Sequence, residues 1–193
     1  MSKLVFFLGP AASGKTSLAK ALAACRSGAL LDMDTLLRPA AETVMTLIGH
    51  DPNDRDSPEY KKHCRDLGYR ITMDAALDNL SVGLDTYVIG PFTKELEDPL
   101  WLETELVRCA GSHEIKVKAV YVYLPGEEHY RRRLIERGSV LDAWKLQNWE
   151  HFRPSLGRRQ IKWKLPADSI LYLDNSGPLD AEKVAQLKRF VDR

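Results

Sequence analysis

The stretch Gly9-Pro10-Ala11-Ala12-Ser13-Gly14-Lys15-Thr16 limits what this chain can fold into more than any other. Before it stands Leu4-Val5-Phe6-Phe7-Leu8, an apolar run of strand length. After it stands Ser17-Leu18-Ala19-Lys20-Ala21-Leu22-Ala23-Ala24, rich in good helix formers. Strand, glycine-bounded loop and helix are the setting in which the pattern G-x-x-x-x-G-K-[ST] cradles phosphates. Gly9 and Gly14 allow backbone conformations that a Cβ opposes. The loop between them can turn its N–H groups toward phosphate oxygens, and the helix that starts near Lys15 adds the positive end of its dipole. Lys15 is placed to reach the outer phosphates, and the Thr16 hydroxyl to ligate Mg²⁺. Gly9, Pro10, Ala11, Ala12, Ser13, Gly14, Lys15, Thr16 and Ser17 are thus candidate nucleotide-binding residues.

The remaining bounds are looser. A chain of 193 residues reads as one domain, residues 1–193, able to bury a core without staples. A formal net charge of +1 demands neither nucleic acid nor an anionic membrane. Cys25, Cys64 and Cys109 are scattered without metal-ligand spacing and read as reduced thiols. No apolar stretch approaches the ~20 residues that span a bilayer, and strand-forming residues begin at once, with no room for a signal sequence. The expectation is a cytoplasmic protein with no membrane partner.

Beyond the first helix, Ala29-Leu30-Leu31 reads as a second strand that delivers Asp32-Met33-Asp34 to its end. Ligands bind beyond the carboxyl ends of strands in open α/β sheets. Two carboxylates there suit Mg²⁺ and a substrate hydroxyl, unless Asp34 merely caps the helix expected over 35–48. That helix offers Leu36, Leu37, Val44, Leu47 and Ile48 for burial and tolerates Pro39 only in its first turn. Residues 49–58 are polar and turn-rich, either a solvated connection or a substrate flap. One long helix is expected over 59–82, with an interruption at Gly68.

Thr86-Tyr87-Val88-Ile89 reads as a third strand, ending at Gly90-Pro91-Phe92-Thr93. Where many phosphate-loop proteins carry an aspartate, this chain has Gly90, which leaves Mg²⁺ to Thr16, Asp32 and water. Gly90 is either a tight turn or a point of close substrate approach. A helix follows over 99–109, and residues 117–124 form an apolar fourth strand. The helix expected over 127–137 carries Arg133 and Arg137 four apart, hence on one face. They serve either to neutralise transferring phosphoryl oxygens or as a solvated basic face. A helix over 142–152 is expected to pack Trp144 and Trp149. Arg153, Arg158, Arg159, Lys162 and Lys164 then surround Trp163, an interleaving that single-stranded nucleic acid can use, although a solvated loop near an anionic nucleotide is the plainer reading. Residues 169–173 form a fifth strand and 181–191 a closing amphipathic helix.

Taken together, the phosphate loop, Asp32-Met33-Asp34, Arg133-x-x-x-Arg137 and Leu173-Asp174-Asn175-Ser176 resemble the P-loop small-molecule kinases, a group that includes gluconate and shikimate kinases. The resemblance implies a three-layer α/β/α fold with a five-stranded parallel sheet in the order 2-3-1-4-5. It implies an acceptor-binding helical region over about 35–82 and an arginine-bearing lid over about 126–165. The cofactors implied are ATP and Mg²⁺. Asp34 would hold and deprotonate the acceptor hydroxyl, Asp32 and Thr16 would organise the metal, Arg133 and Arg137 would act from the lid, and Asn175 would lie near the adenine. Arg38, one helical turn past Asp34, would suit a phosphate-bearing acceptor, and Gly90 would border it. No set of residues over 50–82 matches a shikimate site, so the acceptor is open. Transfer to a small-molecule hydroxyl stands beside two alternatives, a nucleotide or polynucleotide 5′-kinase and a regulatory ATP-binding module.

Overall fold

All seven residues of Ser2–Leu8 are buried, a pattern that belongs to a central strand covered on both faces. In the computed structural model, which describes residues 2–109 and 114–193, this strand (β1) sits in the middle of a five-stranded sheet. β1 pairs in parallel with β3 (Thr86–Ile89) on one side and β4 (Ile115–Tyr123) on the other. β2 (Ala29–Asp32) pairs with β3, and β5 (Ile170–Asp174) with β4, both parallel. The order is β2-β3-β1-β4-β5, as the resemblance implies. The chain leaves β1 toward β2 and leaves β4 toward β5, in opposite directions. The sheet therefore has its crevice between the carboxyl ends of β1 and β4.

Alternate residues of β1 feed two cores. Val5 and Phe7 face α1 (Lys15–Cys25) and the last helix, packing with Leu18, Leu22, Leu187 and Val191. Leu4, Phe6 and Leu8 face the other way. There Phe6 centres an aromatic cluster, with ring centroids 5.5 Å from Phe92 and 4.9 Å from Trp163. Trp163 is buried and its indole N–H donates to the Glu95 carbonyl at 2.8 Å. It is a core residue, so the basic stretch holds no stacking platform for a nucleobase.

The helices after β2 depart from the expected bounds. α2 runs Met33–Leu47, starting two residues early, so Pro39 falls in its second turn. Leu47 and Ile48 are exposed because they lie past the part of the helix that meets its neighbours. The long helix is two, α3 (Pro58–His63) and α4 (Arg65–Ser81), broken at Cys64. Gly68 is an internal α4 residue whose missing Cβ admits the Leu37 side chain; a Cβ there would stand 2.7 Å from Leu37 Cδ2. α5 is Trp101–Val107 and α6 is Glu127–Arg137. The helix expected over 142–152 is also broken: α7 (Ala143–Gln147) and α8 (Trp149–Phe152) meet at Asn148, whose ψ of 41° leaves the helical region. α9 closes the chain over Ala181–Asp192. α6, α8 and the turn at Leu156 form a separate small core with Leu124, Tyr130 and Phe152, and Ala11 and Ala12 of the phosphate loop pack against it. No helix among the described residues is long and apolar enough to cross a membrane.

Candidate functional site

The loop after β1 is built from unusual backbone. Gly9, Ala12 and Gly14 have φ of 129°, 61° and 97°. Ala12 is there against the preference of an L-residue, a strain that tends to collect at functional sites. Ser13 N–H donates to the Pro10 carbonyl at 3.3 Å, closing a turn within the loop. A Cβ on Gly9 would lie 2.1 Å from the Val122 carbonyl oxygen, so the loop lies hard against the end of β4, in the crevice. α1 opens at Lys15 with no side-chain cap and no acidic residue in its first turn. Its first N–H groups carry the positive end of the dipole and suit an anion. The Lys15 ammonium donates to the Pro10 carbonyl at 2.7 Å, crossing over the loop. Desolvation pushes its pKa down to about 8, against the pull of Asp34 and Asp32, while Arg137 adds repulsion.

Asp32 and Asp34 divide their work. Asp32 ends β2 and caps α2, its Oδ1 accepting from the Asp34 N–H at 3.0 Å. Its other oxygen accepts from the Thr16 hydroxyl at 2.8 Å. The cap foreseen for Asp34 therefore belongs to Asp32, and the Asp34 carboxylate accepts no hydrogen bond from any described residue. Its pKa is raised, first by desolvation and then by the Asp32 charge, against Lys15, Lys145 and Arg137. Asp34 is nonetheless solvent-exposed as a residue. Both observations fit a carboxylate in the mouth of a cleft, reachable by water and walled by protein. Thr16 and Asp32 make a small, hard oxygen set. No cluster of three or more acidic, histidine or cysteine side chains completes a metal cage among the described residues. That donor set fits Mg²⁺, which binds through one or two protein oxygens and keeps waters and substrate phosphates for the rest.

The two arginines of α6 differ. Arg133 donates to the Ser13 carbonyl at 3.1 Å and to the Asn175 carbonyl at 2.6 Å. Expected to act from the lid, it braces the outside of the phosphate loop. Asn175 is its partner in this: buried, it donates to the Ser13 carbonyl at 2.8 Å and accepts from Lys183 at 3.1 Å. It fills the space that the missing Cβ of Gly14 leaves. Arg137, the last residue of α6, is half-exposed and donates through Nε to Asp142 Oδ2 at 2.7 Å. Its charge acts on both Lys15 and Asp34. Lys15, Asp32, Asp34 and Arg137, from four separate elements, thus share one electrostatic neighbourhood.

Asp142, Lys145, Asp56 and Tyr60 also belong to this neighbourhood and carry no sequence signal. Lys145 donates to Asp56 at 2.9 Å and stands 3.6 Å from Asp142. Burial pushes the Tyr60 hydroxyl up to about 12, with Arg55 opposing and Asp34 and Asp56 adding to the rise. Arg38 is exposed and makes no ion pair with a described residue. Gly90 is buried, and the space its Cβ would take is filled by the Phe92 ring at 2.8 Å. Its role is to seat Phe92, which has φ of 45°, rather than to admit a substrate. The basic stretch is largely spoken for: Lys162 pairs with Glu97 at 2.7 Å, Arg153 with Glu127 at 3.2 Å, and Arg158 lies 4.1 Å over the Tyr172 ring.

Comparison with known proteins agrees with this geometry. The family described as AAA domain matches residues 4–154. None of the curated protein sequences matches the chain. Among solved structures, a candidate kinase from Chloroflexus aurantiacus J-10-fl superposes with TM-score 0.68 at 16% identity, over 98% of this chain and 97% of that one. A sugar kinase from Janibacter sp. HTCC2649 gives 0.61 at 16%, covering 100% and 95%. A gluconokinase from Sinorhizobium meliloti 1021 gives 0.54 at 16%, covering 99% and 94%. At such identity these likenesses establish a shared fold.

Proposed function

The chain belongs to the AAA domain family, a P-loop family, and from that premise we propose that it is a kinase that moves the γ-phosphate of ATP to a hydroxyl of a small-molecule acceptor. The observation that carries this reading is the division between the two aspartates. Asp32 is committed to the α2 cap and to Thr16. Asp34 is left with no hydrogen-bond donor among the described residues, a raised pKa and a place beside Lys15 and Arg137. A module that only binds or slowly hydrolyses ATP has no use for a second, unengaged carboxylate there.

In this mechanism the phosphate loop and the α1 N-terminus bind the phosphates through backbone N–H groups, and Lys15 lies against the outer ones. Thr16 and Asp32 would hold Mg²⁺, which would supply neutralising charge there. Asp34 orients the acceptor hydroxyl and takes its proton as the oxygen attacks the γ-phosphorus, while the bond to the β,γ-bridging oxygen breaks and ADP leaves. Its raised pKa makes it a better proton acceptor than an ordinary aspartate. Arg137 meets the charge that develops on the transferring phosphoryl oxygens. The neighbours titled as sugar kinase and gluconokinase favour a polyhydroxy acceptor. The paired basic stretch and buried Trp163 offer nothing that favours a polynucleotide.

The test is incubation with γ-labelled ATP, Mg²⁺ and a metabolite pool, with the labelled product identified by mass spectrometry. The native chain is expected to label an organic hydroxyl and Asp34→Asn to lose that product. Label found only in inorganic phosphate, from both proteins, would overturn the kinase reading.

A further inference from the structure

The residues that sequence reasoning missed form one chain of contacts across the cleft. At the lid end, the α6 helix stops at Gly138, whose φ of 58° turns the backbone sharply. Ser139 Oγ then accepts from Leu141 N–H at 3.3 Å, holding the short turn that presents Asp142. The Asp142 side chain is 2% exposed. One of its oxygens receives Arg137 Nε at 2.7 Å, and the other faces Lys145 Nζ at 3.6 Å. Lys145 is 12% exposed, is steadied by the Leu141 carbonyl at 3.0 Å, and ends on Asp56 Oδ2 at 2.9 Å. Asp56 belongs to the loop of residues 49–57, whose fold is set locally: Asp54 Oδ1 accepts from the N–H groups of Asp56 at 2.8 Å and Ser57 at 3.0 Å.

Asp56, Asp142 and Lys145 in this network are largely buried, and Arg137 is half-exposed. A buried carboxylate such as Asp142 is costly unless both its oxygens are partnered. Here two cations partner it, and each has a second task. Arg137 acts on Lys15 and Asp34 at the transfer site, and Lys145 reaches the loop on the acceptor side. A single exposed pair of this kind contributes little, but a network with its centre buried makes its members depend on one another. Moving the 49–57 loop away would leave Lys145 with Asp142 alone, and the shared carboxylate would then be drawn from Arg137.

Resting on the kinase reading above, we propose that Asp142 and Lys145 are positioning residues that hold Arg137 at the transfer site and tie it, through Asp56, to the loop that flanks the acceptor. The loop of 49–57 is then an acceptor flap whose closure and the placing of Arg137 are one event. Transfer is fast only with both sides of the cleft shut, which keeps water from taking the acceptor's place.

Amide hydrogen exchange with Mg²⁺ and a non-hydrolysable ATP analogue tests the tie without any acceptor. In the native chain the analogue is expected to slow exchange over 139–156 and also over 49–57. Lys145→Met should retain the first effect and lose the second, and Lys145→Arg, which keeps a donor for both carboxylates, should restore it. Equal flap protection in Lys145→Met and the native chain, or none in either, would overturn the proposal. A second arm uses formation of the labelled organic product from γ-labelled Mg-ATP and the metabolite pool. Asp56→Asn should slow it about tenfold in the native background and not at all in Arg137→Ala, because the flap acts through that arginine. Additive losses would mean that Asp56 is merely structural and would sink the idea. Failure of the kinase reading shows separately, as absence of any labelled organic product while the exchange pattern persists.

Discussion

The two sides of the cleft are made differently. The nucleotide side is one contiguous segment, β1, loop and α1, in which the working groups are backbone N–H groups and a lysine crossing its own loop to Pro10. The facing side is assembled from Asp34 and from residues 56, 137, 142 and 145, the last four joined by side-chain ion pairs. The first kind of site is held by packing of Ala11 and Ala12 on the small core and by hydrogen bonds from Arg133, Asn175 and Lys15 to the loop's own carbonyls. The second kind depends on ion pairs between separate segments, so on the kinase reading it is the side suited to open for an acceptor.

That contrast can be broken, first of all, at Arg137. Arg137→Ala should reduce transfer by on the order of 10³-fold while calorimetry finds Mg-ATP affinity little altered, since the charge is needed where phosphoryl charge is redistributed. Affinity falling as far as turnover would place Arg137 on the nucleotide side instead. Next comes Asp34→Asn, which should cost about a hundredfold in transfer with near-normal thermal stability and nucleotide binding. Because Asp32 holds the helix cap, no compensating capping effect is expected, and full transfer activity would leave only an ATP-binding domain.

A smaller effect separates the sides by pH. Free Lys15 loses its proton near pH 8, and phosphate oxygens favour its charged form, so nucleotide binding takes up a proton above that pH. Mg-ATP affinity should therefore fall as pH rises through 8, by up to about tenfold per pH unit. Calorimetry in buffers of different ionisation enthalpy reads the proton uptake, which should vanish in Lys15→Met; uptake unchanged in that variant would assign it elsewhere. In the nucleotide-free chain the sign is opposite. The folded pKa lies below the unfolded one, so this group adds stability as pH rises from about 8 toward the ordinary lysine value.

The smallest change is expected at Arg133. Although it shares a helix face with Arg137, its bonds go to the Ser13 and Asn175 carbonyls. Arg133→Ala should weaken Mg-ATP binding by up to about 1.5–3 kcal/mol, the worth of a charged hydrogen bond to loop backbone, with turnover at saturating ATP far less affected than in Arg137→Ala. Equal turnover losses in the two variants would restore the pair to a common role.

Arg133 and Arg137 also show how far the sequence could be read. Their spacing put both on one face of α6, and that face does look onto the loop. Spacing has no bearing on what each guanidinium meets, which depends on Asn175 of the strand-end turn and Asp142 of the lid. Gly90 is a similar case. Its position at the end of β3 was legible, yet the reason for a glycine there is the Phe92 ring two residues on. Trp163 stood among cations in the chain and belongs to the aromatic core in space, because its strap crosses the sheet beside Phe6 and Trp101.

By itself the sequence determined the strand-loop-helix start, the order of elements, the placement of Asp32 and Asp34 beyond a strand, and thereby the fold class. Those follow from periodicity, glycine and helix propensity, which act over a few neighbouring residues. Only the tertiary structure decided which aspartate caps and which stays unengaged, which arginine braces the loop and which faces the cleft, and that Lys145 and Asp56 belong to the site at all. Those outcomes depend on desolvation, ion pairing and hydrogen bonding between groups as far as 162 positions apart. Such interactions exist only once the sheet has brought its carboxyl ends together.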